Sequence, residues 1–199
     1  MIRRIKSPPK NVHQLILDPE SVRAVQSGEM TEFRRVTGRL GKINELINGR
    51  SECSRISKDG RNWNFWISPS RGRPEFKHVV RCPYGKTGDR LWVREPWRPL
   101  TDPFAIEYRA DNLVVVNPNA KDYEGLWRCD KWRPSLHMPR WACRLELTVQ
   151  SVDVARLQDV SDDEDAWDKT NAKRHPWRAN PLVWVVKLAT EATLYIPGP

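Results

Sequence analysis

The sequence contains no apolar run near the roughly 20 residues that a bilayer-spanning helix requires. Its longest apolar stretch, Leu182–Leu188, is interrupted by Lys187 and has the length of a strand. The opening residues Met1-Ile-Arg-Arg-Ile-Lys6 carry no apolar core and no small-residue cleavage site, so no secretory leader is expected there. With a mean hydropathy of −0.69, the chain is expected to be soluble and cytoplasmic, with no membrane association. Cysteine is scarce: Cys53, Cys82, Cys129 and Cys143 are the four, and no two form a C-x-x-C pair. The set Cys82, Cys129, His137 and Cys143 matches no short-range ligand spacing. Reduced thiols are therefore expected, and neither a metal nor a cofactor. Phe and Tyr are also sparse, at four each. Acidic residues are few in the first half of the chain, which excludes a uniformly mixed surface.

What is present sharpens these exclusions. Ten residues are Trp, which outnumbers the other aromatics combined. The 199 residues suffice for one domain with its own core. The net charge is +9, with a pI near 9.7, and it is unevenly distributed. Residues 1–100 hold 21 Lys+Arg against 10 Asp+Glu, a net of +11, whereas residues 101–199 hold 13 against 15, a net of −2. Such asymmetry favours a polyanionic partner. Trp beside Arg adds flat rings and planar cations, the side chains on which unpaired bases stack.

Periodicity and turn chemistry predict short elements. Val12–Leu17 reads as a strand. Asp18 is a candidate N-cap, Pro19 occupies the favoured first helical position, and Gly28 closes a helix over about 19–27. Residues 32–81 are basic, with 12 Lys+Arg against 5 Asp+Glu, and read as a long insertion. A helix over 42–48 and a hairpin at Asp59-Gly60 are expected within it. Further strands are expected around Leu91–Glu95, over Phe104–Arg109, Leu113–Val116 and Ala142–Val154, and a buried one over Leu182–Leu188. In Ala142–Val154, Cys143, Leu145, Leu147 and Val149 alternate with Arg144, Glu146, Thr148 and Gln150. Asn117–Asp130 reads as a loop. Ser161 is a candidate N-cap for a helix to about Thr170, which accounts for the acidic run Asp162–Asp165 as first-turn charge. Five or six short strands with two short helices predict a mainly β, α+β domain built on a small closed or partly open barrel.

Three segments carry a resemblance: Cys82-Pro-Tyr-Gly-Lys-Thr-Gly-Asp-Arg-Leu-Trp-Val-Arg-Glu95, Trp132-Arg-Pro-Ser-Leu-His-Met-Pro-Arg-Trp-Ala142 and Leu157-Gln-Asp-Val-Ser161. In order and spacing they resemble phage and prophage proteins with an ASCH domain, part of the PUA-like superfamily. With the strand at 182–188 they cover most of 82–188. Ser27-Gly-Glu-Met-Thr-Glu-Phe-Arg-Arg35 is similar to that family's first helix end and following strand. The resemblance implies a single PUA-like barrel over residues 1–199 with flanking helices, a cleft on one side and a basic insertion at about 38–80. It also implies recognition of RNA or modified bases, in a host-cell cytoplasm if the protein is phage-encoded. A related branch hydrolyses an acetyl amide with a Gly-x-Lys-Thr-x-Thr stretch and a late-helix Glu. Here Met30 and Phe33 stand at the Lys and second Thr positions, and Asp168 falls at the Glu position. Met and Phe can neither activate a nucleophile nor stabilise an oxyanion.

The predicted nucleic-acid contacts are Arg34, Arg35, Arg94, Trp132, Arg133 and Arg140. Arg suits bidentate phosphate contact, and the prolines of 131–141 give Trp132, Arg133, His137, Arg140 and Trp141 an extended course. An alternative for Arg34-Arg35 is an ion pair with the acidic 162–168 helix. Arg94 and Glu95 read either as a cleft pair or as a structural ion pair. The alternative for 131–141 is a loop stapled to the barrel by Trp132 and Trp141. The leading expectation is a protein that binds RNA or an unpaired or modified base in a basic cleft. One alternative is a nucleic-acid or nucleoside hydrolase, RNase-like or amidohydrolase-like, with Asp168 and His137 as candidate catalytic groups. The other is a phage protein that binds a host protein through its Trp residues.

Overall fold

The computed structural model describes residues 12–49, 52–59, 62–69, 73–100, 105–116, 131–189 and 193–194. The expected loop Asn117–Asp130, Cys129 and Gly60 lie outside the described residues. The elements are β1 (Val12–Ile16), α1 (Pro19–Gln26), β2 (Glu32–Arg35), α2 (Arg39–Gly49), β3 (Glu52–Asp59), β4 (Asn62–Ser68), β5 (Phe76–Arg81) and β6 (Arg90–Arg94). They continue with β7 (Trp97–Pro99), β8 (Ala105–Tyr108), β9 (Val114–Val116), β10 (Leu145–Arg156), α3 (Leu157–Val160), α4 (Glu164–Asn171), β11 (Leu182–Leu188) and β12 (Thr193–Leu194). Three 3-10 turns, Ser135–His137, Arg140–Ala142 and Trp177–Ala179, complete the set. The fold is α+β and mainly strands. None of its sheets closes into a barrel among the described residues, which corrects the barrel expectation. The strands that a barrel needs in one ladder are instead divided: β3-β4-β5 and β7-β8-β9 are separate three-stranded sheets.

The chain forms two compact units that interleave in sequence. The first draws on Met1–Thr31, Gly88–Val149 and Leu188–Pro199, the second on Glu32–Thr87 and Gln150–Lys187.

In the first unit, β1 runs parallel to β6, which runs antiparallel to β10, and β12 adds to β10. Helix α1 begins as its sequence predicts: Asp18 Oδ1 accepts from the Ser21 amide at 2.9 Å, and Gly28 follows the last turn at φ +80°. Trp92, Trp97, Ile106 and Tyr108 form a buried cluster with Met138 and Cys143 of segment 131–143. The alternation of Ala142–Val154 places Arg144 and Glu146 on its polar face, yet both are buried. Their charges are met inside the protein. Arg144 donates to both Glu95 carboxylate oxygens at 2.8 Å and to Asp111 at 2.7 Å, and its guanidinium lies 4.1 Å from the Tyr108 ring centroid. Glu146 takes Arg90 and Arg140.

In the second unit, β11 lies between β10 and β2. Helix α2 covers the predicted 42–48 and is joined to β11 through Asn44, which is 1% exposed. The Asn44 amide donates to the Leu182 carbonyl and accepts from the Leu182 amide, both at 2.8 Å. The predicted hairpin forms, with Asp59 opposite Asn62. Trp63, Phe65 and Ile67 of β4 are buried, and Trp63 meets Trp184 edge-on at 5.8 Å. Helix α4 starts two residues later than expected: Asp163, not Ser161, is its N-cap, accepting from the Ala166 amide at 2.9 Å. Ser161 is extended because the unpredicted short helix α3 ends there.

Candidate nucleic-acid interface

Four of the six predicted contact residues, Arg94, Trp132, Arg133 and Arg140, fall in the first unit, and Arg34 and Arg35 fall in the second. Segment 131–141 is held to β7 by a two-way backbone bridge: the Arg133 amide donates to Trp97 O at 2.7 Å, and the Trp97 amide to Arg133 O at 3.3 Å. This places Trp132, half-buried, beside the β7-β8 hairpin. Arg98 and Glu107 are cross-strand partners there, and the Arg98 guanidinium pairs with Glu107 at 2.6 Å. The same guanidinium lies 4.7 Å from the Trp132 ring centroid, and that of the exposed Arg109 lies 5.8 Å away. Arg133 lies 5.7 Å from the ring centroid of Trp97, which is buried. The outcome is a partly open indole with two planar cations against it, and Lys131 exposed beside it.

The other two members serve the unit internally. Arg94 donates to Gln14 Oε1 at 2.9 Å, to the Met138 carbonyl at 3.0 Å and to the Leu136 carbonyl. Arg94 therefore anchors the 3-10 turn that carries His137. Its neighbour Glu95 pairs with Arg144, so Arg94 and Glu95 are structural groups, each with a different partner. Burial pushes the Glu95 carboxyl above its usual range, against the pull of the two Arg144 hydrogen bonds. Arg140 is paired with Glu146. The guanidiniums of Arg140 and Arg94 stand 5.0 Å and 4.9 Å from the ring centroid of the buried Trp92.

In the second unit, Arg34 pairs with Glu32 at 2.8 Å, a neighbour on its own strand and not a residue of the acidic helix. Arg34 and Arg35 stand opposite Val185 and Trp184 in the ladder to β11. Phe33 is buried, and its ring meets that of Tyr84 edge to face at a centroid distance of 4.9 Å. Asp168 accepts from the Trp177 amide at 2.8 Å and so closes the 3-10 turn after α4. His137 is exposed on its own 3-10 turn in the first unit. Among the described residues, neither group has a nucleophile as a hydrogen-bonding partner.

Sequence reasoning missed Arg98 and Arg109, because their role depends on the β7-β8 hairpin meeting Trp132. It also missed Arg55, Trp66 and Lys77, which lie in the segment read as an insertion. The alternation Trp63/Phe65/Ile67 against Asn64/Trp66/Ser68 was the available signal: it sets Trp66 apart from the apolar face of β4. Comparison with protein-family models, curated proteins and solved structures finds no match.

Proposed function

We propose that the protein binds single-stranded nucleic acid, RNA or an unpaired or modified base, by stacking a base at Trp132. The observation that carries this reading is the half-buried Trp132 ring with the Arg98 and Arg109 guanidiniums 4.7 Å and 5.8 Å from its centroid. A base has a π-face that an indole or a guanidinium plane can take, and an exposed Arg beside it meets the phosphate. The net charge of +9 supports a polyanionic ligand. The resemblance of Cys82–Glu95 and Trp132–Ala142 to ASCH proteins of the PUA-like superfamily points the same way. The hydrolase reading has less support, because Asp168 is occupied by a backbone amide.

Fluorescence anisotropy with labelled oligo(U), oligo(dT) and a duplex tests the proposal. Tight binding of the single strands is expected at low salt, with log K falling by about 0.7 per phosphate contact for each log unit of salt. Stacking on an aromatic contributes about 1–3 kcal/mol per base, so Trp132→Ala is expected to weaken binding about tenfold or more. Arg109→Ala is expected to flatten the salt slope. An absence of binding to any nucleic acid at low salt refutes the reading. Conversion of labelled RNA or of an acetylated nucleoside by the protein would replace it with the hydrolase.

A further inference from the structure

We infer that the outer face of the β3-β4-β5 sheet is a second docking surface for single-stranded nucleic acid, with the Arg55–Trp66 stack as its base platform; this rests on the nucleic-acid reading above.

The strand register builds the surface. Arg55, Trp66 and Lys77 are direct cross-strand partners and form one row across three strands. Ser57, Asn64 and Val79 form the next row, and Asp59, Asn62 and Arg81 the third. Because side chains alternate, these rows lie on the side of the sheet opposite Trp63, Phe65 and Ile67; on it Asn64 is buried, whereas Val79 and Arg81 are exposed. Trp66 is half-buried, and Arg55 and Lys77 are exposed.

The Arg55 guanidinium lies 3.8 Å from the Trp66 ring centroid, the separation of a stacked pair, and the Lys77 ammonium lies 5.6 Å from it. A guanidinium on a ring leaves its own outer plane for a third flat group, and nucleobases stack on such planes. The platform is thus assembled before a ligand arrives, which lowers the ordering cost of binding. Cations extend along the strand from it: Arg81 is four residues from Lys77, about 13 Å at the rise of a β-strand. Arg81 is held by its hydrogen bond to Asn62 at 3.1 Å and remains exposed.

Charge selects the class of ligand. Residues 52–86 hold 8 Lys+Arg against 3 Asp+Glu, a net of +5 in 35 residues. On this face Asp59 lies at the end remote from Trp66. A positively charged sheet face with an aromatic on its middle strand fits an unstacked strand, whose bases are free to lie on it. In a duplex the base faces are already stacked on one another.

The test uses the full-length protein with a 5-bromouridine-substituted oligo(U), combining anisotropy titration with photocrosslink mapping by mass spectrometry. Trp66→Ala and Arg55→Ser are each expected to weaken binding about tenfold, and Trp66→Phe is expected to restore most of it. Crosslinks are expected on the β4 peptide, including in the Trp132→Ala variant. Circular dichroism of each variant separates lost contact from lost folding. If the Trp66 and Arg55 variants are folded, bind as wild type and show no β4 crosslink, the second surface is overturned. The Trp132 reading then stands, provided Trp132→Ala weakens binding. If instead only the sheet variants lose affinity, the second surface stands and the Trp132 site falls. Failure of the wild type to bind any single strand at low salt, or its retention by an acidic protein alone, overturns both.

Discussion

Replacing Glu95 tests how the charges inside the first unit are tolerated. Its carboxylate is fully buried and both oxygens accept from Arg144, itself 2% exposed. In Glu95→Ala, Arg144 keeps, among the described residues, Asp111 and the Tyr108 ring as partners. A buried cation stripped of its main counter-charge costs about 3–5 kcal/mol. Domains of this size are stable by only about 5–15 kcal/mol, so the variant is expected to be marginal. Exchanging the whole pair for apolar groups, Glu95→Leu with Arg144→Met, removes both desolvation penalties and is expected to recover most of that loss. Asp111, a third exposed, then turns to water. Urea unfolding followed by Trp fluorescence gives each stability by linear extrapolation. Two results refute the reasoning: a cost under about 1 kcal/mol for Glu95→Ala, or a double variant as unstable as the two single changes summed.

Asn44→Ala leaves both backbone polar groups of Leu182 without a partner, and at about 1–3 kcal/mol for each orphaned group the unfolding midpoint is expected to fall sharply; an unchanged midpoint would show that water takes over. Asp18 and Asp111 both sit below the usual carboxylate range. Burial works against this in each case, but it is overcome by the Ser21 donors at Asp18 and by Arg144 and the Leu113 amide at Asp111. Their stabilisation is therefore complete above about pH 3.9 and is lost as pH falls through the lower folded values. Urea midpoints between pH 5 and pH 2 are expected to fall less steeply for Asp18→Asn/Asp111→Asn than for wild type. Burial pushes the thiols of Cys82 and Cys143 up to about 12 and about 11. Alkylation at pH 8 is expected to spare both until the protein is unfolded, as peptide mass mapping would show.

The local signals were legible. Asp18, Pro19 and Gly28 delimit α1, and the apolar run Leu182–Leu188 is β11 to the residue. Elements fixed by distant partners were not. Three-residue β7 carries no periodic signal, and it exists because Trp97 pairs with Tyr108 on one side and with Arg133 on the other. Alternation separated Arg144 and Glu146 from the apolar face but did not show that both are buried, since this depends on Glu95 after β6, Asp111 in the turn after β8 and Arg90 of β6. The same limit applied to the candidate site. Trp132 and Arg133 stood out by composition, whereas the guanidiniums that frame Trp132 come from β7 and from the turn after β8. Arg94 and Arg140, equally prominent in the sequence, are bound by acceptors that the sequence did not associate with them.

The interleaving of the two units constrains how the chain can be made. A ribosome releases β2 early, but its ladder partner Trp184–Lys187 emerges near the end of synthesis. Among the described residues the meander β3-β4-β5 pairs with itself alone, and it can form while translation continues. Its apolar face then waits, with Trp63 uncovered, for Trp184 to emerge. Closure of either unit is a late event joining residues far apart in sequence, the kind of topology that folds slowly. A chain terminated after Val149 would carry neither unit whole and would present that face to every other nascent chain nearby.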